Sequence, residues 1–342
     1  MIDRITVAEF LDRARNVPVI DVRSEKEFLQ GHIPGAVNLS LFNDEERAVV
    51  GTLYKNSGRE SSILKGLELA GPKLPGFVKQ FHKITSGKQV LVHCWRGGMR
   101  SESMAWLFRL AGYEAYLLEG GYKAYRHFIR AGLSLPAKII LLGGMTGSGK
   151  TDLLHQLGKM GEQILDLEAL ACHKGSVFGG IGQPCQPTNE QFENNIYAGW
   201  AVLDPYKPVW LEDESRMIGN VSLPDPLPEQ MNHAAMIQVE LSREQRIKRL
   251  VKEYSNVEKE DLRKAVQKIS EKLGGTHTKT ALSAIDDGDF ETVAGLSLSY
   301  YDKTYAHSVL RKNNADLRIV SLENDDIVKN AGSILEAAKS LK

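Results

Sequence analysis

Twice along this chain a short apolar run leads into a glycine-rich loop and then into a helical pattern. The first is Val90–His93, followed by Cys94-Trp95-Arg96-Gly97-Gly98-Met99-Arg100-Ser101. The second is Ile139–Leu142, followed by Gly144-Met145-Thr146-Gly147-Ser148-Gly149-Lys150-Thr151. A strand that turns at once into a helix, through residues free to take left-handed conformations, belongs to a parallel α/β sheet. Two such units in 342 residues allow two domains of ordinary size. Residues 5–130 alternate apolar runs (Pro18–Val22, Val90–His93, Ala115–Leu118) with helical patterns. Runs at Lys138–Leu142, Gln163–Asp166, Pro208–Glu212, Ala235–Leu241 and Leu317–Ser321 predict a second sheet. Residues 243–273 predict one or two helices. Gly132 and Pro136 punctuate the chain near Leu133–Ala137, so the expected domains are residues 1–133 and 137–342.

Composition excludes several classes. Lys plus Arg equals Asp plus Glu, 43 of each, so no overall field advertises a polyanionic partner, although a local basic face would suffice. The three cysteines, Cys94, Cys172 and Cys185, are too few and too far apart for a disulfide framework or a zinc site. No apolar run approaches a membrane span. A reducing cytoplasm is the expected setting, and it would keep Cys94 a free thiol.

The first loop reads as an anion site built around a nucleophile. Gly97 and Gly98 let successive amides converge, and the helix that follows, expected at Glu102–Leu110, adds partial positive charge. Arg96 and Arg100 add full charges. Such a setting favours the thiolate, which attacks sulfur, selenium or phosphorus. A structural cysteine at a strand end is the alternative, and the glycine pair and arginines argue against it. Upstream, Val19-Ile20-Asp21-Val22-Arg23-Ser24, Glu27-Phe28 and Gly31-His32-Ile33-Pro34-Gly35-Ala36-Val37-Asn38 resemble the rhodanese domain, over about residues 4–130. The resemblance implies a strand, a helix and a second strand for these segments, and a cysteine that carries a persulfide or related chalcogen. Asp21, Arg23, Glu27 and His32 are then structural: a carboxylate at a strand end, a local ion pair and a turn. Rhodaneses commonly close the loop with an arginine one position earlier. Here five residues separate Cys94 from Arg100, the C-x5-R spacing of protein phosphatases. The longer loop has room for a tetrahedral phosphate-like group. A phosphate-bearing chalcogen donor and a phosphatase substrate are both open.

The second loop, residues 144–151, is a full P-loop (Walker A) pattern between a strand and an apolar helix (Leu153–Leu157). Amides around Gly144, Gly147, Ser148 and Gly149 are expected to wrap a diphosphate, Lys150 to neutralise it, and Thr151 to reach a Mg²⁺. The acidic strand end Glu212-Asp213-Glu214 offers Glu212 or Asp213 as a magnesium ligand, directly or through water, with a solvated acidic run as the alternative. Asp166 and Glu168 close another strand, ahead of the polar loop His173-Lys174-Gly175-Ser176-Val177-Phe178-Gly179. That loop is either a ligand-binding or a surface segment. No metal-ligand set is called. Arg243, Arg246, Lys248, Arg249 and Lys252 offer a phosphate lid, a nucleic-acid track or a solvated helix face. Tyr300, Tyr301 and Tyr305 offer base-stacking faces or core packing.

Taken together, Cys-Trp-Arg-Gly-Gly-Met-Arg-Ser, Gly-Met-Thr-Gly-Ser-Gly-Lys-Thr, Asp-Leu-Glu, His-Lys-Gly-Ser-Val-Phe-Gly and Glu-Asp-Glu-Ser-Arg resemble the tRNA 2-selenouridine synthase family over nearly the whole chain. Glu45-Glu46-Arg47 and Val50-Gly51-Thr52-Leu53-Tyr54 match it too. The resemblance implies work on the wobble uridine, position 34, in the anticodon loop of tRNAs for Lys, Glu and Gln. A 2-thiouridine is geranylated from geranyl diphosphate, and S-geranyl is then replaced by selenium from selenophosphate. Cys94 would pass through a selanyl-cysteine, with Arg96, Gly97, Gly98 and Arg100 on the phosphate. A selenophosphate-producing enzyme is an implied partner. The P-loop ligand is geranyl diphosphate, a nucleotide, or both. A P-loop kinase with a regulatory rhodanese domain, a C-x5-R phosphatase, and a non-catalytic sulfur-sensing or tRNA-binding module are the competing readings.

Overall fold

A computed structural model describes residues 2–309 and 316–341. The chain divides into two compact units, Met1–Gly132 and Leu133–Lys342. Each is built on a five-stranded, all-parallel sheet.

In the first unit the strands are β1 (Asp3–Ile5), β2 (Val19–Asp21), β3 (Val37–Asn38), β4 (Gln89–His93) and β5 (Glu114–Leu118), in the order β1-β5-β4-β2-β3. The central strand β4 pairs with β2 (Leu91 beside Val19) and with β5 (Val90 beside Ala115). Val90, Leu91 and Val92 are fully buried, because helices cover both faces of a parallel sheet. On one face Phe81 packs on Phe108 and Tyr113 at centroid distances of 4.5 and 4.7 Å. The helix after the cysteine loop runs Met99–Leu110, starting three residues earlier than expected because Gly98 caps it.

The segment Asp44–Ala70 is helical, with Asn43 and Glu46 forming a capping box at its start. Straight, 27 residues would span about 40 Å. Instead Lys73, just past its end, donates to Glu46 in its first turn at 2.6 Å. Gly58, at φ 84 and ψ −174, breaks the helix so that the second leg returns beside the first.

In the second unit β6 (Ile139–Gly144), β7 (Gln163–Ile164), β8 (Val209–Glu212), β11 (Ala235–Leu241) and β12 (Leu317–Leu322) form the sheet β12-β11-β6-β8-β7. Strands β9 (Met217–Ile218) and β10 (Val221–Ser222) make a separate hairpin around Gly219-Asn220, a turn pair not foreseen from the sequence. Strand β7 is shorter than expected, because Asp166 caps the helix Leu167–Ala171 rather than extending the strand. Residues 243–273 hold three helices rather than one or two: Arg243–Tyr254, Lys259–Lys268 and Ser270–Leu273. With Gly275–Asp287 and Phe290–Val309 they enclose a core of their own around Leu262, Val266, Ile285 and Leu298.

Candidate functional site

Both loops lie at the carboxyl ends of central strands, where parallel sheets place their ligands. In the first unit Cys94 follows β4 directly and is 3% exposed. Its Sγ lies 3.2 Å from Ser101 Oγ and 3.9 Å from the Gly98 carbonyl. The Ser101 hydroxyl donates to that same carbonyl at 2.9 Å, which ties the thiol to the first turn of the helix.

The loop is held from below by the start of the helix Gly121–Leu133. The amides of Tyr122 and Lys123 donate to the carbonyls of Cys94 and Trp95 at 2.9 and 3.0 Å. A side chain at Gly121 would meet Gly97 N at 2.4 Å and Cys94 O at 2.5 Å. Gly97 itself is at φ 68, and a side chain there would meet Leu118 O at 2.6 Å. Glycine is therefore required on both sides of this contact.

The two loop arginines differ. Arg96 is exposed. Arg100 donates to both carboxylate oxygens of Glu27, at 2.7 and 3.4 Å. Burial works against the charge on Glu27, but the Arg100 hydrogen bond and charge hold its carboxyl below the ordinary range. Glu27, expected to serve only a local pair, is thus the residue that orients Arg100. Asp21 and Arg23 do form the expected local pair, fully buried at 2.6 Å, with the guanidinium also donating to the Gly31 carbonyl. His93 is buried with neither ring nitrogen hydrogen-bonded, and burial favours its neutral form. Its 3.7 Å separation from Asp21 is therefore no ion pair.

A cleft of about 1330 Å³ opens against Cys94, Arg96, Gly98 and Arg100. Its far wall is the broken helix Asp44–Ala70.

In the second unit the P-loop leaves β6 and enters the helix Lys150–Lys159. Gly147 and Gly149 are left-handed, at φ 79 and 81. A side chain at Gly144 would meet Ser148 Oγ at 2.6 Å. Lys150 Nζ donates to the Gly144 carbonyl at 2.9 Å, folded over its own loop. Thr151 Oγ1 lies 2.8 Å from Glu212 Oε1 and 3.2 Å from Glu168 Oε2. Burial first, then the charges of Glu212 and Glu214, raise the Glu168 carboxyl to about 9. Burial likewise raises Glu212 to about 7, against the pull of Lys150. Two carboxyls sharing one hydroxyl in a buried site keep a proton between them.

The other acidic positions separate by role. Asp166 accepts from Ala169 N at 2.7 Å and meets His155 Nε2 at 2.6 Å, so its side chain is occupied as a helix cap. The Asp213 amide continues the sheet pairing to the Leu142 carbonyl at 3.0 Å. Its charge acts on Tyr305, whose phenol burial and Asp213 together hold neutral. Gly175 of the 173–179 loop, at φ 63, sits where a side chain would come within 2.5 Å of Glu168 and 2.9 Å of Glu214. That loop therefore backs onto the carboxyl pair, and the Tyr301 hydroxyl accepts from Val177 N at 2.9 Å to hold it there. Tyr301 packs in the core instead of presenting a stacking face.

Three of the five basic residues after β11 are engaged within the fold, while Lys248 and Lys252 are exposed. Arg246 is 5% exposed, grips Asp302 through both terminal nitrogens at 2.7 and 2.9 Å, and donates to the Thr146 carbonyl at 3.3 Å. Arg249 pairs with Asp152 and Asp325 and lies against Gly149. Arg243 donates to the Gly295 carbonyl at 2.8 Å. These three arginines brace the P-loop and its neighbouring helices. Among the described residues no three His, Cys, Asp or Glu side chains are arranged to hold a metal. Mg²⁺ usually takes one or two carboxylates and completes its shell with substrate phosphates and water. Thr151 and Glu212, whose Oε2 is buried without a hydrogen bond, fit that lesser role.

Sequence reasoning named the two loops but missed Ser101 and Gly121 as their supports, and the bracing role of Arg246. The Gly120-Gly121 pair ahead of an aromatic helix was the one local signal available for the second.

Among the described residues no helix is long and apolar enough to cross a membrane. The profile of the tRNA 2-selenouridine synthase AAA domain matches residues 137–333, and that of the rhodanese-like domain residues 6–127. A tRNA 2-selenouridine synthase of Nitrosomonas europaea is 34% identical, covering 87% of this chain and 90% of its own. One of Bdellovibrio bacteriovorus is 43% identical over 61% of this chain and 57% of its own. One of Sulfurovum sp. is 35% identical over 86% and 90%. With a rhodanese-like unit carrying Cys94 and a P-loop unit matching that profile, the chain belongs to the tRNA 2-selenouridine synthase family.

Proposed function

We propose that this protein converts 2-thiouridine to 2-selenouridine at the wobble position of tRNA, in two steps that use its two loops in turn. The observation that carries this is the coexistence, in one chain of that family, of a buried thiol in an amide- and arginine-lined loop and a P-loop backed by a carboxyl pair.

In the first step the thiouridine sulfur attacks the allylic carbon of geranyl diphosphate. The carbon–oxygen bond breaks, and diphosphate leaves with the electron pair. The amides of residues 144–151 cradle that leaving group, and Lys150, released from the Gly144 carbonyl, neutralises it. Where Mg²⁺ takes part, it supplies further charge for the diphosphate, and Thr151 and Glu212 are the residues that hold it.

In the second step selenium of the selenophosphate held at the Cys94 loop attacks C2 of the base, the carbon–sulfur bond breaks with geranylthiolate leaving, and water then cleaves the phosphorus–selenium bond to release phosphate. Cys94 lines the selenium end of that site, and the loop amides with Arg96, Gly97, Gly98 and Arg100 hold the tetrahedral anion. The base reaches the thiol by leaving the anticodon stack. The substrates are tRNAs for Lys, Glu and Gln, the setting is the cytoplasm, and a selenophosphate-producing enzyme is the supplier.

The test is mass spectrometry of nucleosides from 2-thiouridine tRNA incubated with purified protein and geranyl diphosphate, with and without selenophosphate. A geranyl mass gain, then its replacement by selenium, is the expected result. An unchanged nucleoside with folded protein would defeat the proposal and bring the kinase and phosphatase readings forward.

A further inference from the structure

The cleft beside Cys94 is larger than a chalcogen-phosphate anion needs. Small-molecule sites usually enclose roughly 300–1,000 Å³, and this one holds about 1330 Å³. Its lining is also of the wrong chemistry for an anion alone. Away from the thiol it is walled by Val50, Tyr54, Ile63, Leu67 and Trp106. Tyr54, Leu67 and Trp106 are 61%, 65% and 54% exposed, a concentration of large apolar surface that a folded chain does not leave bare without use. The wall exists only because the helix Asp44–Ala70 folds back at Gly58. Gly51 lines the same cleft, and a side chain there would meet nothing within 4 Å, so the space continues past it.

The rim has the opposite character. Arg47, Lys55, Arg59, Arg96 and Arg100 line the cleft against one carboxylate, Glu102. Lys55, Arg59 and Arg96 are exposed. An apolar trough with a cationic edge, ending on a nucleophilic sulfur, matches an occupant with an apolar chain, a polyanionic body and a reacting atom between them.

We infer that this cleft holds the prenyl chain of the S-geranylated wobble base, with the RNA backbone on the basic rim, and so brings C2 of that base to Cys94. This rests on the two-step reaction proposed above and adds a place and a purpose for the alkyl group. The chain that makes sulfur a better leaving group also serves as the handle by which the first product is recognised at the second site.

The experiment compares three anticodon stem-loop RNAs that differ only at the wobble base: S-geranyl-2-thiouridine, S-methyl-2-thiouridine and 2-thiouridine. Binding to the full chain is measured by fluorescence anisotropy, and conversion of the geranylated RNA by nucleoside mass spectrometry. The S-geranyl RNA should bind at least about tenfold tighter than the S-methyl RNA, the gain from burying as few as about two methylene equivalents. Gly51→Leu, whose Cβ would meet no atom within 4 Å, puts bulk into the trough and should abolish that preference while binding S-methyl RNA like the wild type. Leu67→Asp, at an exposed wall position, should reduce it in the same way and guards against a folding defect in the first variant. If the wild type selenates the geranylated RNA and both variants keep its preference, the cleft assignment is overturned and the reaction stands. If the wild type neither prefers nor converts that RNA, both fall together.

Discussion

At Cys94 the surroundings decide what a thiol can do. Ser101 and the Gly98 carbonyl position the sulfur, while Glu27 takes the guanidinium of Arg100. In a Cys94→Ser protein, geranylation of 2-thiouridine tRNA should persist and selenation should fall below detection, read by nucleoside mass spectrometry. A first step that also dies in a folded Cys94→Ser protein would show that the thiol is not reserved for selenium. Gly121 tests the support beneath the loop. Gly121→Ala forces a side chain at φ 62 into three backbone atoms. It should cost the intact chain about 2–3 kcal/mol in denaturant unfolding. A loss under ~0.5 kcal/mol would mean that the loop yields freely. Cys94 and its glycines were legible in the sequence because nucleophile, turn and helix start are adjacent in the chain. The roles of Gly121 and Glu27 were not, since each acts on a loop remote from it in sequence.

The element that most depends on its own chemistry is the acidic end of β8 with the helix Leu167–Ala171. Glu168 and Glu212 are raised to about 9 and about 7, chiefly by burial, while the unfolded chain titrates near the ordinary carboxylate value. Over that interval the folded protein binds more protons than the unfolded chain. Stability therefore falls as pH rises from about 4.5 towards the raised values. Thermal unfolding of the wild type should drop by about 5 °C or more from pH 5 to pH 8. Glu212→Gln, which keeps an oxygen for Thr151, should flatten much of that slope. A wild-type profile without slope over this range would contradict the buried carboxyl pair. Element types were largely legible: the runs at 90–93, 139–142 and 235–241 are strands. Where the expectation failed, a local competitor won, as when the Asp166 carboxylate capped a helix and ended β7 early. The break at Gly58 falls on Asn56-Ser57-Gly58, a local turn signal, but the return of the second leg beside the first is set by packing such as Lys73 on Glu46.

At the scale of the whole molecule, the proposed reaction gives each unit its own step. Lys150→Ala should abolish geranylation, yet leave selenation of a pre-geranylated tRNA within a few-fold of wild type. Loss of both reactions together would defeat that division. What the sequence by itself determined is the pair of strand–loop–helix units. Those depend on glycine conformation, amide direction and residue identity within about ten neighbouring positions. What only the tertiary structure decided is which charges are free and where the space lies. Arg100 meets Glu27 from 73 residues away, and Thr151 meets Glu212 from 61. The cleft beside Cys94 exists because a helix doubles back at one glycine. Contacts of that span depend on how elements pack, and local residue spacing does not encode them.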